Sequence, residues 1–134
     1  MLKTYHGSCH CKAIAFEVDL DLSQGTSRCN CNLCHKQRNW VARTTPDHFR
    51  LIKTEALGEF FPVPEHPNGH CFCAKCGVRV FSRGDIPEIG GAFVTVAIAA
   101  LDDATEEEII AAPLQWCDGL HDNWWNVPAE VRHL

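Results

Sequence analysis

The chain has 134 residues, 46% hydrophobic and 22% charged, with a net charge of −5. That length suits a single domain spanning residues 1–134 and folding on its own core. The acidic balance argues against a general grip on nucleic acid and against an anionic membrane surface, and the longest apolar run, 92–101, is too short to span a bilayer.

Gly7-Ser8-Cys9-His10-Cys11 reads as a turn carrying a Cys-x-Cys pair. Residues 13 to 19 follow as a strand with Ile14, Phe16 and Val18 on one side. Residues 20 to 27 are a polar loop that delivers the chain to Cys29-Asn30-Cys31-Asn32-Leu33-Cys34, three thiols in six residues. Short strands are expected over 39–44, 49–53 and 57–61, while Pro62, Pro64 and Pro67 forbid regular pairing between 62 and 67. A second Cys-x-Cys-x-x-Cys, at Cys71, Cys73 and Cys76, leads through Val78, Val80 and Phe81 into another strand. Residues 82 to 91, with Gly84, Pro87, Gly90 and Gly91, read as a loop. Phe93 to Leu101 is the strongest strand, rich in β-branched residues and central in a sheet. Thr105 and Glu108 form a capping box for one short helix near 105–111, ended by Pro113. The tail from Trp116 to Leu134 is aromatic and turn-rich. The expected fold is mainly β.

Nine cysteines set the chemistry. Met1 to His6 begins no signal peptide, so the chain is expected in the cytoplasm, where clustered thiols bind metal rather than pair. Bridges within Cys9/Cys11, Cys29/Cys31 or Cys71/Cys73 would close loops too small to constrain the unfolded chain much. Eight cysteines fall into groups of two, three and three, and Cys117 stands alone. Spacing alone does not say which groups share a metal. Cys76-Gly77 has the form of a zinc knuckle, a turn that ends where glycine's conformational freedom is needed, and a knuckle usually pairs with another two-cysteine element. Cys9 and Cys11 are the only pair of that size. The closed set is then Cys9, Cys11, Cys73 and Cys76. Cys29, Cys31 and Cys34 make a three-thiol set with a fourth position to fill, and an open position marks a catalytic rather than a structural zinc.

Gly7-Ser8-Cys9-His10-Cys11, the loop at Cys29 to Cys34, Phe72-Cys73-Ala74-Lys75-Cys76-Gly77, Leu101-Asp102-Asp103 and Asp118-Gly119, in that order, resemble the glutathione-dependent formaldehyde-activating enzyme family. The resemblance covers nearly the whole chain. It implies a β-tent of short antiparallel sheets, pinned by a structural zinc on Cys9, Cys11, Cys73 and Cys76. It implies a catalytic, labile zinc on Cys29, Cys31 and Cys34, and carbon–sulfur lyase activity. Lys12 stands where that family usually has glycine, and Cys71 is an added thiol.

Three thiolates weaken a zinc ion as a Lewis acid but leave it a good soft partner for sulfur. A thiol so held is deprotonated, and the thiolate is the nucleophile. The expected reaction is attack of glutathione, or another small thiol, on an aldehyde, or the reverse cleavage. Glutathione is anionic, so Arg28, Lys36, Arg38 and Arg43 are candidate contacts, guanidinium suiting carboxylates bidentately; each reads equally as a solvated basic edge. Trp40 is a pocket wall or a core residue. His35 is a proton shuttle, imidazole being the side chain that titrates near neutrality, or a fourth ligand that closes the site, or a surface residue. Cys71 and Cys117 read as small buried hydrophobes. Trp116, Trp124 and Trp125 read as core packing or a homodimer patch, and Asp102 and Asp103 as helix-start and solvent-facing charge. The competing reading is a non-enzymatic zinc-binding module for protein interaction, its second site completed by His35 or Cys71.

Overall fold

The computed structural model covers residues 1–134 and is mainly β, in two sheets. Its strands are β1 (Lys3–Ser8), β2 (Ile14–Leu20), β3 (Thr26–Cys29), β4 (Trp40–Thr44), β5 (Phe49–Thr54), β6 (Leu57–Phe60), β7 (Gly69–Cys73), β8 (Arg79–Ile86), β9 (Gly91–Ala97) and β10 (Leu114–Cys117). Two short helices, α1 (Asn32–Gln37) and α2 (Glu106–Ala111), join them. One sheet runs β1-β2-β5. The other runs β10-β3-β4-β9-β8-β7-β6, antiparallel except for β10 beside β3. No helix is long and apolar enough to cross a membrane.

The alternation in β2 does what period-two patterning requires: Ile14, Phe16, Val18 and Leu20 are buried while the residues between them are half-buried. Phe16 packs its ring 5.3 Å from Phe49 on β5 and 6.2 Å from Phe81 on β8. Phe49 and Phe81 approach to 4.7 Å. These rings join the two sheets, and fully burying one such side chain stabilises by roughly 1.5–3 kcal/mol. β9 lies between β4 and β8, central as its composition predicts, with Val94 and Val96 buried, but it ends at Ala97 and Ile98–Ala100 form a 3-10 turn where strand was expected up to Leu101.

The capping box forms as expected: the Glu108 N–H donates to Thr105 Oγ1 at 3.2 Å, and the Thr105 N–H to Glu108 Oε2 at 2.8 Å. Glu108 also accepts from Lys3 Nζ at 2.7 Å and from the Tyr5 hydroxyl at 3.0 Å, which ties α2 to β1. Asp102 and Asp103 are not merely solvent-facing charge. Asp102 accepts from Ser8 Oγ at 2.6 Å and Asp103 from the His6 N–H at 2.9 Å, beside a bridge between Gly7 and Leu101. They clamp the strand that leads into Cys9.

Three local expectations change. Residues 82–86 are not loop: β8 continues to Ile86, paired with β9 down to Ile86 against Gly91, and only Pro87–Ile89 turns the hairpin. Gly84 there leaves room for the Asn68 side chain, whose Oδ1 accepts the Asp85 N–H at 3.1 Å. No strand is expected from sequence over β1, β3, β7 or β10; β7 nonetheless alternates buried and half-buried residues, and β10 pairs only with distant β3. In the tail, Trp124 and Trp125 are 47% and 76% exposed, so core packing fails for both.

Candidate metal centres

The first cluster is built where β1 and the β7–β8 hairpin meet. The sulfurs of Cys9, Cys11, Cys73 and Cys76 all lie within 4.8 Å of one another. Cys9 and Cys11 sulfurs are 3.8 Å apart, and Cys11 and Cys73 sulfurs 3.6 Å. Four sulfurs held about 2.3 Å from a central zinc stand about 3.8 Å from each other in a tetrahedron, and that spacing is too wide for disulfides. Cys9 and Cys73 are buried. Their sulfurs accept from backbone: Ile14 N–H to Cys9 at 3.3 Å and Cys76 N–H to Cys73 at 3.4 Å. The Val78 N–H, with other donors nearby, brings the Cys76 thiol down to about 6. Gly77 sits at φ 77°, the left-handed turn that the knuckle reading requires, and its N–H closes onto the Cys73 carbonyl at 2.8 Å.

The second cluster stands where β3 runs into α1. The sulfurs of Cys29, Cys31 and Cys34 also lie within 4.8 Å of one another, and all three residues are half-buried. Neither His35 nor Cys71 joins them. Cys31 is the N-cap of α1, its sulfur accepting from the Cys34 N–H at 3.4 Å, and the Cys31 N–H donates to Cys29 at 3.3 Å. A sulfur therefore does the capping that Ser or Asp usually does. That is why this six-residue helix, with no buried face, was invisible to periodicity. The Cys31 thiol is held far below its ordinary range, first by the Cys29 and Cys34 thiols that share hydrogen with it, then by backbone N–H groups. The same sharing pushes Cys34 up. Removing all three protons calls for a positive charge to replace them. A three-thiolate set with a vacant fourth direction suits a soft divalent ion.

The loop is fixed from behind by a residue inside the motif. Buried Asn30 donates from Nδ2 to Asp118 Oδ1 at 2.7 Å and accepts the Leu120 N–H at 2.9 Å. Asp118 is held below the usual carboxylate range by Asn30, with His121 adding to it. At Gly119, a Cβ would stand 2.6 Å from Cys29 Sγ and 2.6 Å from the Trp124 ring. Gly119 thus packs directly against Cys29, with the Trp124 ring against the same glycine.

The predicted substrate contacts divide. Arg28, His35 and Arg38 line one narrow cleft together with Cys29, Cys34 and Asn39. Trp40 joins Arg28 and Arg38 on an adjoining groove of about 280 Å³, half-buried, with its Nε1–H on Thr26 at 2.8 Å and Arg28 stacked over its ring at 5.0 Å. It is wall and packing residue at once. Arg43 lies elsewhere, over Phe93. Sequence reasoning missed Arg79, His70 and Asn39. Arg79 donates to Asn39 Oδ1 at 2.6 Å, and Asn39 Nδ2 lies 3.7 Å from Cys34 Sγ. No motif flagged this cation, which reaches the trio from 45 positions downstream of Cys34. Cys71 is fully buried with its thiol on Glu59 at 3.0 Å, and burial pushes it up to about 12. It is inert.

Two comparisons bear on this arrangement. The profile of the family described as glutathione-dependent formaldehyde-activating enzyme matches residues 4–118. That stretch contains both cysteine clusters and Asp118. A crystal structure of a Rhodobacter sphaeroides protein superposes with a TM-score of 0.66 at 23% identity, covering 82% of this chain and 99% of that one. At that identity the likeness is one of fold.

Proposed function

We infer the function from one premise: this chain belongs to the glutathione-dependent formaldehyde-activating enzyme family. On it, the protein is a zinc-dependent carbon–sulfur lyase that forms or cleaves the adduct of glutathione, or a related small thiol, with an aldehyde. Zinc bound at Cys29, Cys31 and Cys34 would supply a soft centre that favours thiolate over thiol at its fourth position. A second zinc at Cys9, Cys11, Cys73 and Cys76 is structural. The location that fits is cytoplasmic, where glutathione is abundant and thiols stay reduced.

In the forming direction, the thiol sulfur attacks the aldehyde carbon. A C–S bond forms, the carbonyl π pair moves to oxygen, and that oxygen takes a proton while the thiol gives one up. Arg28 and Arg38 stand beside the trio as partners for the carboxylates of the anionic tripeptide. His35, in the same cleft, is the titratable ring placed to carry the proton. Trp40 is the wall of the groove beside them.

The observation that carries this reading is the three-sulfur set with no fourth protein ligand. It favours an enzyme over an interaction module, whose second site would need His35 or Cys71 to close it. The test is exchange spectroscopy on ¹³C-formaldehyde and glutathione: interconversion of free aldehyde and adduct should accelerate with the protein and return to the spontaneous rate on removing the exchangeable zinc. Equal rates with and without protein would refute the enzyme.

A further inference from the structure

Arg79 is a half-buried arginine with no carboxylate partner. Arg50, Arg83 and Arg132 each pair with an acid. Arg79 instead donates from Nη1 to Asn39 Oδ1 at 2.6 Å and faces His70 Nδ1 at 3.4 Å, both neutral groups. Burial lowers the His70 pKa, and the charge of Arg79 adds to this, so that ring stays an acceptor. A guanidinium taken from water is costly unless an opposite charge answers it. Two thiols face it, Cys34 first and Cys71 second, and Cys34 is reached through Asn39, whose Nδ2 lies 3.7 Å from Cys34 Sγ.

The backbone makes this contact deliberate. Arg79 begins β8, opposite Phe72, just past the bulge that shifts the β7–β8 register between Cys71 and Phe72. Its side chain is therefore aimed from the hairpin that carries Cys73 and Cys76 toward the other cluster. Asn39 is held in turn, its own N–H on the Cys34 carbonyl at 3.0 Å. An amide between a cation and a thiolate is polarised in one sense: its oxygen takes the guanidinium hydrogen and its N–H is offered to sulfur.

We propose that Arg79, acting through Asn39, supplies the positive charge and the N–H that balance and aim the Cys34 sulfur, and so sets how tightly the three-cysteine site keeps its metal. In this role it is a positioning residue, although it also lines the groove shared by Arg28, Arg38 and Trp40. The inference rests on the reading of the trio as a metal site. Partners of metal ligands matter at this level: removing one typically costs about 10–100-fold in metal affinity.

Chelator competition on the zinc-loaded full chain tests it, alongside thermal melting. The parent should hold one tight and one exchangeable zinc; a parent without an exchangeable zinc defeats the metal reading itself, before any variant is compared. Asn39→Asp is the decisive variant, because a carboxylate at 39 gives Arg79 an ion pair and keeps the fold, but turns an acceptor toward the sulfur. The exchangeable zinc should bind about 10–100-fold more weakly while the tight zinc and the melting temperature hold. Arg79→Met should weaken it likewise, and Arg79→Lys should recover part of the loss. Exchangeable-zinc affinity within threefold of the parent in Asn39→Asp overturns the proposal. So does loss of the tight zinc in both variants, or a raised KM for glutathione with metal affinity unchanged in Arg79→Met.

Discussion

At Cys29–Cys34 every sulfur of a Cys-x-Cys-x-x-Cys motif turns to one point, whereas at Cys71–Cys76 only Cys73 and Cys76 do. The Cys-x-x-Cys halves are built alike: in each, the N–H of the second cysteine donates to the sulfur of the first at 3.4 Å. They part on either side of it. After Cys76, Gly77 turns left-handed and the chain goes straight into β8; after Cys34, α1 continues the turn. Before Cys73, the bulge between Cys71 and Phe72 separates the two thiols and leaves Cys71 buried on Glu59, so the set is completed by Cys9 and Cys11 from the turn after β1. Before Cys31, the strand has already ended and Cys29 is free to converge. A two-residue difference in where the strand stops separates a closed site from an open one.

The largest expected effect breaks that contrast outright. A structural zinc contributes an apparent ~10–16 kcal/mol, and a domain is stable by only ~5–15 kcal/mol. Cys73→Ser should abolish cooperative melting. Cys31→Ser should melt within a few degrees of the parent yet lose about 100-fold or more of its adduct-forming rate. Similar melts for both variants would erase the distinction.

Gly119→Ala presses on the open site alone, since its Cβ would meet Cys29 Sγ and the Trp124 ring. Metal analysis after dialysis should show the second zinc lost and the first retained, with affinity down by roughly tenfold. Asn30→Ala removes the donor to Asp118 and the acceptor for the Leu120 N–H. Stranding buried partners costs about 1–3 kcal/mol, readable as a lower denaturant midpoint.

Much of this was legible in the chain itself, and the limits are physical. The four-cysteine partition followed from Gly77, because a left-handed turn leaves a residue-level signature. The burial of Ile14, Phe16 and Val18 followed from alternation, and α2 from Thr105 and Glu108. β10 owes its pairing to distant β3, whereas β1, β3 and β7 pair with neighbouring strands but are built largely of cysteine, glycine and polar residues that carry no apolar/polar alternation. Arg79 was passed over for Arg28, Lys36, Arg38 and Arg43, which are near the trio in sequence. Nearness in space came instead from the hairpin.

Smaller effects sharpen the closed side. Lys12 holds φ 67°, a conformation that favours glycine. Lys12→Gly should gain about 0.5–1 kcal/mol, or roughly 2–4 °C in melting temperature, without touching the open site. Acid should separate the two sites in order. The carboxyls of Asp21 and Glu108 are lowered to about 2, by the N-terminal ammonium and by Lys3 respectively. Depressed pKa values mean stability present above the unfolded carboxyl pKa, near 4, and lost as pH falls toward 2. The second zinc should leave well above that window, the first only as the frame melts; a pH titration followed by metal release and circular dichroism reads both.

The central claim is that the three-cysteine site holds its ion incompletely and admits an incoming sulfur. Cobalt(II) substituted into both sites tests it directly, because cobalt bands report the ligands around each ion. Adding glutathione should shift and intensify the sulfur-to-metal band of one cobalt in two, and Cys31→Ser should remove that response while keeping the other cobalt's spectrum. A spectrum indifferent to glutathione, with both ions already in four-sulfur surroundings, would contradict the account.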